Sequence, residues 1–394
     1  MVAGASPEHS DELMPGLDTG EVNDDAETQR LKAPLRTTFI IFGVVWVSGA
    51  AVAAAMFPGG VAWAGPSAVA LAWEALVLRR HIGKNHPPQR PGTPFGTLGA
   101  ANALTLARGA IIALLAGIVV LPWPAAGYLA WLPGGLYALA VALDHLDGRV
   151  ARGTHRVTEL GAILDIEFDG LGMLVVTVLT VRLGRLPPWY VVTGLAYYLF
   201  WWSVTIRRRR GHPTYDLPPS RHRRVLASVQ MGFMVVALMP WPPTPVVSLV
   251  GSALAVPFLG GFLRDWLFVH GWLRAESRVY RRAVAAWDLM THFWLLPALR
   301  LGASLIGIRL ALIALGLQHG WLMGLAMLVA SLLLGLGVAA RMSAILLMAA
   351  IGGYVTVAPW NAGHVLALIA GAVVLQFGSG RASAWPVEDE ILYR

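Results

Sequence analysis

From Thr37 onward the sequence runs as a succession of apolar stretches, each near the roughly 20 residues that an α-helix needs to cross a bilayer core. In hydrocarbon every backbone N–H and C=O must be paired within the protein, so a chain built of such stretches is confined to helical bundles. Twelve stretches meet the requirement, near 38 to 57, 61 to 78, 99 to 121, 126 to 143, 160 to 182, 188 to 206, 224 to 240, 244 to 263, 301 to 317, 320 to 339, 342 to 358 and 361 to 378. Charged residues make up only 13% of the 394, about half the share of an ordinary soluble domain, which leaves too little polar surface to face water all round. The expected fold class is an all-α polytopic membrane protein.

The segments between the stretches set the orientation. Residues 1–36 are polar and acidic without apolar periodicity and read as a disordered tail, and they lack the basic start and apolar run of a signal peptide. With both termini in the cytoplasm, the loop residues Arg79, Arg80, Lys84, Arg90, Arg149, Arg152, Arg156, Arg207 to Arg210, Arg221, Arg223 and Arg224 all fall on the inner side, and only Arg182 and Arg185 fall outside. The formal charge of +8 therefore reflects topology, and no nucleic-acid partner is expected. A basic, Trp-rich stretch at 264–300 suits a helix lying at the membrane interface. There is no cysteine, so any metal must sit on oxygen or imidazole ligands.

Polar residues that such a chain hides with difficulty concentrate between Asp144 and Asp169. On a helix Asp144 and Asp147 are three apart, and Gly161, Asp165 and Asp169 are four apart, so each set projects from one face. Two neighbouring helices would aim four carboxylates at one another, with Asp169 about two turns into its helix. Such a group is tolerable only when protons, cationic side chains or metal ions compensate it. Several carboxylates without softer ligands suit Mg²⁺ or Mn²⁺, which are commonly shared with substrate phosphates, so the spacing predicts a one- or two-metal phosphate site. Gly148, Ala151 and Gly161 are small residues on or beside these faces, where a nucleotide can approach the backbone. Asn102, Thr105 and Arg108 share a face of an earlier helix, and Arg108 either serves the site or snorkels to the headgroups. Arg152 either binds phosphate or pairs with an aspartate.

The sequence resembles the CDP-alcohol phosphatidyltransferase family. Its signature is Asp, two residues, Asp-Gly, two residues, Ala-Arg, eight residues, Gly, three residues, Asp, three residues, Asp. Asp144, Asp147, Gly148, Ala151, Arg152, Gly161, Asp165 and Asp169 fill every position. Asn102, Thr105 and Arg108 match the start of the family's first core helix, Thr158 the residue before the second glycine, and Arg223 and Gln230 the start of the fifth. The resemblance implies a membrane transferase in which an alcohol displaces CMP from a CDP-activated lipid, usually CDP-diacylglycerol, in phospholipid biosynthesis. It also implies a two-metal Mg²⁺ or Mn²⁺ site with Asp144, Asp147 and Asp165 as ligands, Asp169 near the second metal as general base, and a homodimer. Asn102, Thr105, Arg108, Gly148, Ala151, Arg152 and Gly161 are then the substrate-binding set.

The resulting domain organisation is a tail at 1–36, a transmembrane hairpin and basic loop at 37–96, the family core of six helices at 97–275, a basic interfacial linker at 276–300, a four-helix membrane module at 301–379 and a C-terminal tail at 380–394. Arg221, Arg223 and Arg224 are candidate acceptor-binding residues for a phosphorylated alcohol such as inositol phosphate or glycerol phosphate, a neutral alcohol being the alternative. Asp288 and His292, at i and i+4, read as an interfacial pair, and Arg309 and His364 are taken as ionisable residues buried in the last four spans. The expected location is the bacterial plasma membrane, with the site facing the cytoplasm and membrane lipids as surroundings. Two rival readings stay open: a lipid-binding or transport protein built on the same core, and an enzyme using a soluble CDP-alcohol donor with a lipid acceptor.

Overall fold

The computed structural model describes residues 26–89, 94–218, 220–316, 321–381 and 383–385, and of residues 26–31 and 221 the backbone alone. Most of the expected N-terminal tail, Arg90 and the end of the expected C-terminal tail lie outside the described residues. The chain is all-α, with no β-strand among the described residues, and a helix stands at each of the twelve expected stretches. Among the described residues, six helices are long and apolar enough to cross a membrane: Lys32–Met56, Gly60–Lys84, Gly99–Ile118, Tyr128–Gly153, Thr244–Val269 and Arg278–Leu315. This is an integral membrane protein. The contacts divide it into two compact units, residues 1–183 with 191–198, and residues 184–190 with 199–394.

The first unit contains α1 (Ala26–Met56), α2 (Ala64–His81), α3 (Gly99–Ile118), α4 (Leu132–Gly153), α5 (Glu159–Arg182) and the start of α6 (Val191–Arg209). Helix α1 starts ten residues or so earlier than its apolar stretch, as helices entering a membrane from water often do when polar residues continue the hydrogen-bond ladder. The turn into α2 uses Gly59 at φ +70° and Gly60, where a Cβ would overlap the Ala53 carbonyl oxygen. Helix α2 buries Ser67, Ala70, Leu71, Glu74, Val77 and Leu78, a stripe at helical period that faces α3 and α5. Trp63 locks the hairpin to the rest of the unit. Its ring lies between Gly49 of α1 and Gly117 of α3, where any side chain would collide with it, and its indole N–H donates to the Leu114 carbonyl at 3.3 Å. Small residues let helices approach closely where the bilayer offers no hydrophobic drive between them.

Helix α3 is the axis of this unit, buried along most of its length and packed on α2, α4 and α5. Helix α4 runs on past its apolar stretch to Gly153, which is why Asp144 to Arg152 are helical rather than loop residues. Helix α5 starts with Thr158 as N-cap, whose hydroxyl accepts from the Gly161 N–H at 3.0 Å.

The second unit holds the rest of α6, then α7 (Arg221–Leu238), α8 (Thr244–Val269), α9 (Arg278–Leu289), α10 (Leu296–Leu315), α11 (Trp321–Leu336), α12 (Ala340–Tyr354) and α13 (Ala362–Phe377). Helices α10 to α13 form a four-helix cluster in which each packs on its chain neighbours and α13 returns to α10. Helix α13 also packs on α8, where Gln376 donates to the Leu254 carbonyl at 2.8 Å. Arg185 donates to the carbonyls of Ala237, Met239 and Pro242, closing the C-terminus of α7.

Two details differ from the sequence reading. The stretch 264–300 is not one interfacial helix: Arg264 to Val269 complete α8, while α9, with no buried residue, continues through a π-helical turn at Met290–Leu295 directly into α10. In the C-terminal cluster Arg309 is exposed, and the buried cations are Arg300 and Arg341, which donate to the Ser379 and Leu375 carbonyls. Each lies on a helix face turned toward neighbouring helices, and it is this facing, rather than depth along the apolar stretch, that decides which cation is buried. His364 is buried and completes a capping box with Asn361, accepting from its backbone N–H at 3.1 Å.

Candidate active site

Three helices of the first unit bring their polar faces together. From α4 come Asp144, Asp147, Gly148, Ala151 and Arg152, at i, i+3, i+4, i+7 and i+8, which on a helix form one stripe. From α5 come Gly161, Asp165 and Asp169, one turn apart, and from α3 come Asn102, Thr105 and Arg108. One carboxylate oxygen each from Asp144, Asp147 and Asp165 lies within 4.8 Å of the others. This is the one group of three or more acidic or histidine side chains with metal-ligand spacing among the described residues. The donor set is all oxygen and rich in carboxylates, so it fits a hard divalent cation such as Mg²⁺ or Mn²⁺.

Arg108 offsets part of the cluster's charge. It is buried, and its Nη1 contacts Asp144 Oδ1 and lies 3.2 Å from Asp169 Oδ1, while Nη2 is 3.1 Å from Asp165 Oδ1 and donates to the Asp165 carbonyl. The snorkelling role considered from sequence is thereby replaced: the guanidinium points into the carboxylates. Four anions gathered at a helix junction would repel strongly without such a charge among them. Asp169 belongs to this ion-pair group but not to the three-oxygen cluster, and 37% of its side chain is exposed. Thr105 donates to Asp147 Oδ2 at 2.7 Å and so fixes which oxygen of that buried carboxylate remains free.

Beside the carboxylates is a cleft of about 190 Å³ lined by Asn102, Thr105, Asp147, Gly148, Ala151, Arg152, Arg156, Thr158, Gly161 and Asp165, among others. Every residue of the sequence-derived substrate set except Arg108 lines it. Gly161 is small for a further reason: a Cβ there would sit 2.8 Å from Asn102 Oδ1 and 3.2 Å from Thr158 Oγ1, so the glycine permits the close approach of α5 to α3. Arg152 folds back over Gly148, its Nη1 lying 3.3 Å from where a Cβ would be, and it makes no ion pair with the aspartates.

A family model described as CDP-alcohol phosphatidyltransferase matches residues 98–274. This segment is similar to the CDP-alcohol phosphatidyltransferase family. No curated protein and no solved structure matches the chain. The family transfers substituted phosphate groups from a CDP-alcohol donor to an alcohol acceptor within membranes and generally uses divalent metal. In this chain the matched segment takes in α3 to α8.

The acceptor candidates lie elsewhere in that segment. Arg223 and Arg224 stand on α7 in the second unit, and the side chain of Arg221 lies outside the described residues. Arg223 pairs with Asp265 Oδ2 at 3.0 Å and donates to the Pro218 carbonyl, Arg264 pairs with Asp265 Oδ1 at 2.9 Å, and Arg224 is exposed. Gln230 is buried and donates to the Tyr190 hydroxyl at 2.6 Å, a packing role. Asp288 and His292 are 3.4 Å apart on an exposed helix, as their spacing implies.

Two residues outside the family match reach the site and are passed over in the sequence. Asn85, buried in the loop after α2, accepts from the Asn102 amide and donates to the Phe95 and Thr97 carbonyls. Glu74, buried in α2, lies against Gly109. A lone polar residue in a basic loop carries no signal, so Asn85 is invisible in the sequence. Glu74 did carry one, being a single acid within an apolar span.

Proposed function

We propose that the chain moves a phosphatidyl group from a CDP-activated lipid such as CDP-diacylglycerol to an alcohol, releasing CMP, as a step of phospholipid biosynthesis. The observation that carries this reading is the convergence of Asp144, Asp147 and Asp165 within 4.8 Å beside a cleft walled by glycine and alanine. Asp144, Asp147 and Asp165 would hold the first divalent cation and Asp169 would stand by the second. Bound there, Mg²⁺ or Mn²⁺ supplies charge neutralisation to the pyrophosphate and to the departing CMP.

The remaining work falls to side chains. The acceptor hydroxyl forms a bond to the phosphorus that carries the lipid, the bond from that phosphorus to CMP breaks, and the hydroxyl proton passes to the partly exposed Asp169 carboxylate. No covalent enzyme intermediate is needed. The cleft, at about 190 Å³, is smaller than the roughly 300–1,000 Å³ of a whole-ligand pocket, so it takes part of the nucleotide and leaves the lipid chains to the bilayer. Thr105 holds Asp147, and Gly148 and Ala151 let the nucleotide lie against α4. Arg152, on the wall of the cleft, offers the phosphates a guanidinium group, and Arg108 acts through the carboxylates it pairs with.

On this reading the protein is a multi-pass, homodimeric enzyme of a bacterial plasma membrane, with twelve spans, both termini inside and the site open to the cytoplasm. The acceptor is a phosphorylated alcohol such as inositol phosphate or glycerol phosphate. Two arginines, Arg223 and Arg264, share one carboxylate and leave net positive charge for an anionic acceptor. The test is direct. Purified protein with CDP-diacylglycerol, a panel of alcohols and Mg²⁺ or Mn²⁺ is expected to release CMP and form a new phospholipid. Placing the radiolabel first in the lipid and then in the alcohol distinguishes this donor from a soluble CDP-alcohol. Binding without cleavage under every combination would instead favour a lipid-binding or transport protein.

A further inference from the structure

Glu74 is fully buried at the middle of α2, and neither of its carboxylate oxygens has a hydrogen-bond partner. It lies outside residues 98–274, so the transferase family match does not account for it. Its position is nonetheless specific. A Cβ on Gly109 of α3 would sit 2.7 Å from Glu74 Oε2 and 2.9 Å from Glu74 Cδ, so the carboxylate rests on the α3 backbone one residue after Arg108. Arg108 is the cation within electrostatic reach of Glu74. The Nε of Arg108 is likewise buried and lacks a hydrogen-bond partner, while its terminal nitrogens lie against the aspartates.

An unmatched acceptor of α2 lying against α3 and an unmatched N–H of α3, both buried, are each costly where water cannot reach. The cost has a use if Arg108 moves. The oxygens that Arg108 engages on Asp144 and Asp165 belong to the carboxylates with metal-ligand spacing. A divalent cation arriving there meets the guanidinium as a like charge in a medium of low dielectric, and binds well only if that charge is drawn off.

We propose that Glu74 is a positioning residue for Arg108: it receives the guanidinium when a divalent cation takes the aspartates, and so sets how tightly the cation binds. This rests on the metal-site reading given above. The extra N-terminal hairpin thereby contributes to the transferase site through α2.

The test is Mn²⁺ binding to the full-length chain in detergent, without any CDP-lipid, followed by the electron paramagnetic resonance signal of the free ion. Wild type is expected to bind Mn²⁺. Glu74→Gln keeps the shape, removes the charge, and is expected to weaken binding by about 10- to 100-fold, the usual effect of losing a residue that supports metal ligands. Glu74→Asp is expected to restore much of the affinity. In an Arg108→Gln background, where no guanidinium competes, Glu74→Gln is expected to change little.

The outcomes separate the two ideas. A wild type that binds no Mn²⁺ overturns the metal-site reading and this proposal with it. A wild type that binds Mn²⁺ while Glu74→Gln binds it equally well leaves the metal site standing and overturns the role of Glu74. Equal losses from Glu74→Gln with and without Arg108 also overturn it, since Glu74 would then act by another route. Should Glu74→Gln not fold, Glu74→Leu serves, since it removes the carboxylate and leaves Gly109 and the Phe168 ring beside it unchanged. It is expected to weaken Mn²⁺ binding too, and unchanged binding overturns the proposal.

Discussion

The Asn102 side-chain amide donates to Asn85 Oδ1 at 3.2 Å, one of the contacts that tie a loop outside the family match to the wall of the cleft. Because the amide nitrogen of Asn102 is taken, its Oδ1 is turned toward Gly161 at the start of α5. Asn85 is in turn held by the Phe95 and Thr97 carbonyls, both at 3.0 Å, and Arg156 stacks on the Phe95 ring while donating to Thr97 Oγ1. The loop is thus a buttress behind the α3 wall of the cleft.

Asn85→Ala removes that buttress without touching a carboxylate. The expected result is a KM for the CDP-lipid raised about tenfold, equivalent to ~1.4 kcal/mol, with kcat changed much less. Steady-state kinetics of CMP release checks it. In an Asn102→Ala background the same substitution is expected to add little, since residues sharing one hydrogen bond couple. Fully additive effects would show that Asn85 does not act through Asn102.

Asp169→Asn keeps the size of the side chain and removes the proton acceptor. Turnover is expected to fall by roughly 10²- to 10⁴-fold, the range for loss of a general base, with a smaller change in KM. A variant that turned over at the wild-type rate would remove Asp169 from the chemistry and leave it as a partner of Arg108.

Thr105→Val deletes the 2.7 Å hydrogen bond to Asp147 with little change in volume. The carboxylate is then free to rotate, and Mg²⁺ dependence is the sensitive readout. The concentration of Mg²⁺ for half-maximal activity is expected to rise by about 10-fold or more, as for other residues that orient a metal ligand. An unchanged Mg²⁺ requirement would show that Asp147 is held well enough by its burial.

These expectations draw on different amounts of sequence information. The spans and the carboxylate faces are legible because both follow from period: apolar runs of bilayer length, and acids three, four and eight residues apart. What period cannot supply is the partner across a helix pair. Helical period does not distinguish Arg108, which points into the carboxylates, from a cation that snorkels, and it does not mark Arg309 as exposed and Arg300 as buried. The continuity of α9 with α10 was hidden for a related reason. Charged residues at 278–300 end a hydrophobic run without ending a helix: α9, the π-helical turn and α10 follow one another without a break, even past Pro297 in the first turn of α10. Gly161 shows the opposite case, a position whose type was evident and whose reason was not: it admits Asn102 of α3 as much as any ligand.

Arg223 offers a test of the acceptor. Its guanidinium and that of Arg264 share the Asp265 carboxylate, so an incoming phosphate would exchange places with part of an existing ion pair rather than meet a free cation. Arg223→Ala is therefore expected to raise KM for a phosphorylated alcohol by about 10-fold, near the lower end for a charge-assisted hydrogen bond, and to leave the KM for the CDP-lipid unchanged. With a neutral alcohol as true acceptor, the same variant would act at the wild-type rate.

Trp63→Ala tests the joint between the N-terminal hairpin and α3. The ring fills the space left by Gly49 and Gly117, and removing it leaves a cavity that two backbones without side chains cannot close. Burial from water contributes less inside a bilayer, so the loss is mainly of packing and of the hydrogen bond to Leu114, about 2–4 kcal/mol. Thermal unfolding in detergent is expected to show a lower midpoint. Activity at low temperature should fall as well, because α2 carries Glu74 and leads directly into the loop that holds Asn85. A variant with a lowered midpoint but full activity would mean that the hairpin stabilises the unit without positioning the site.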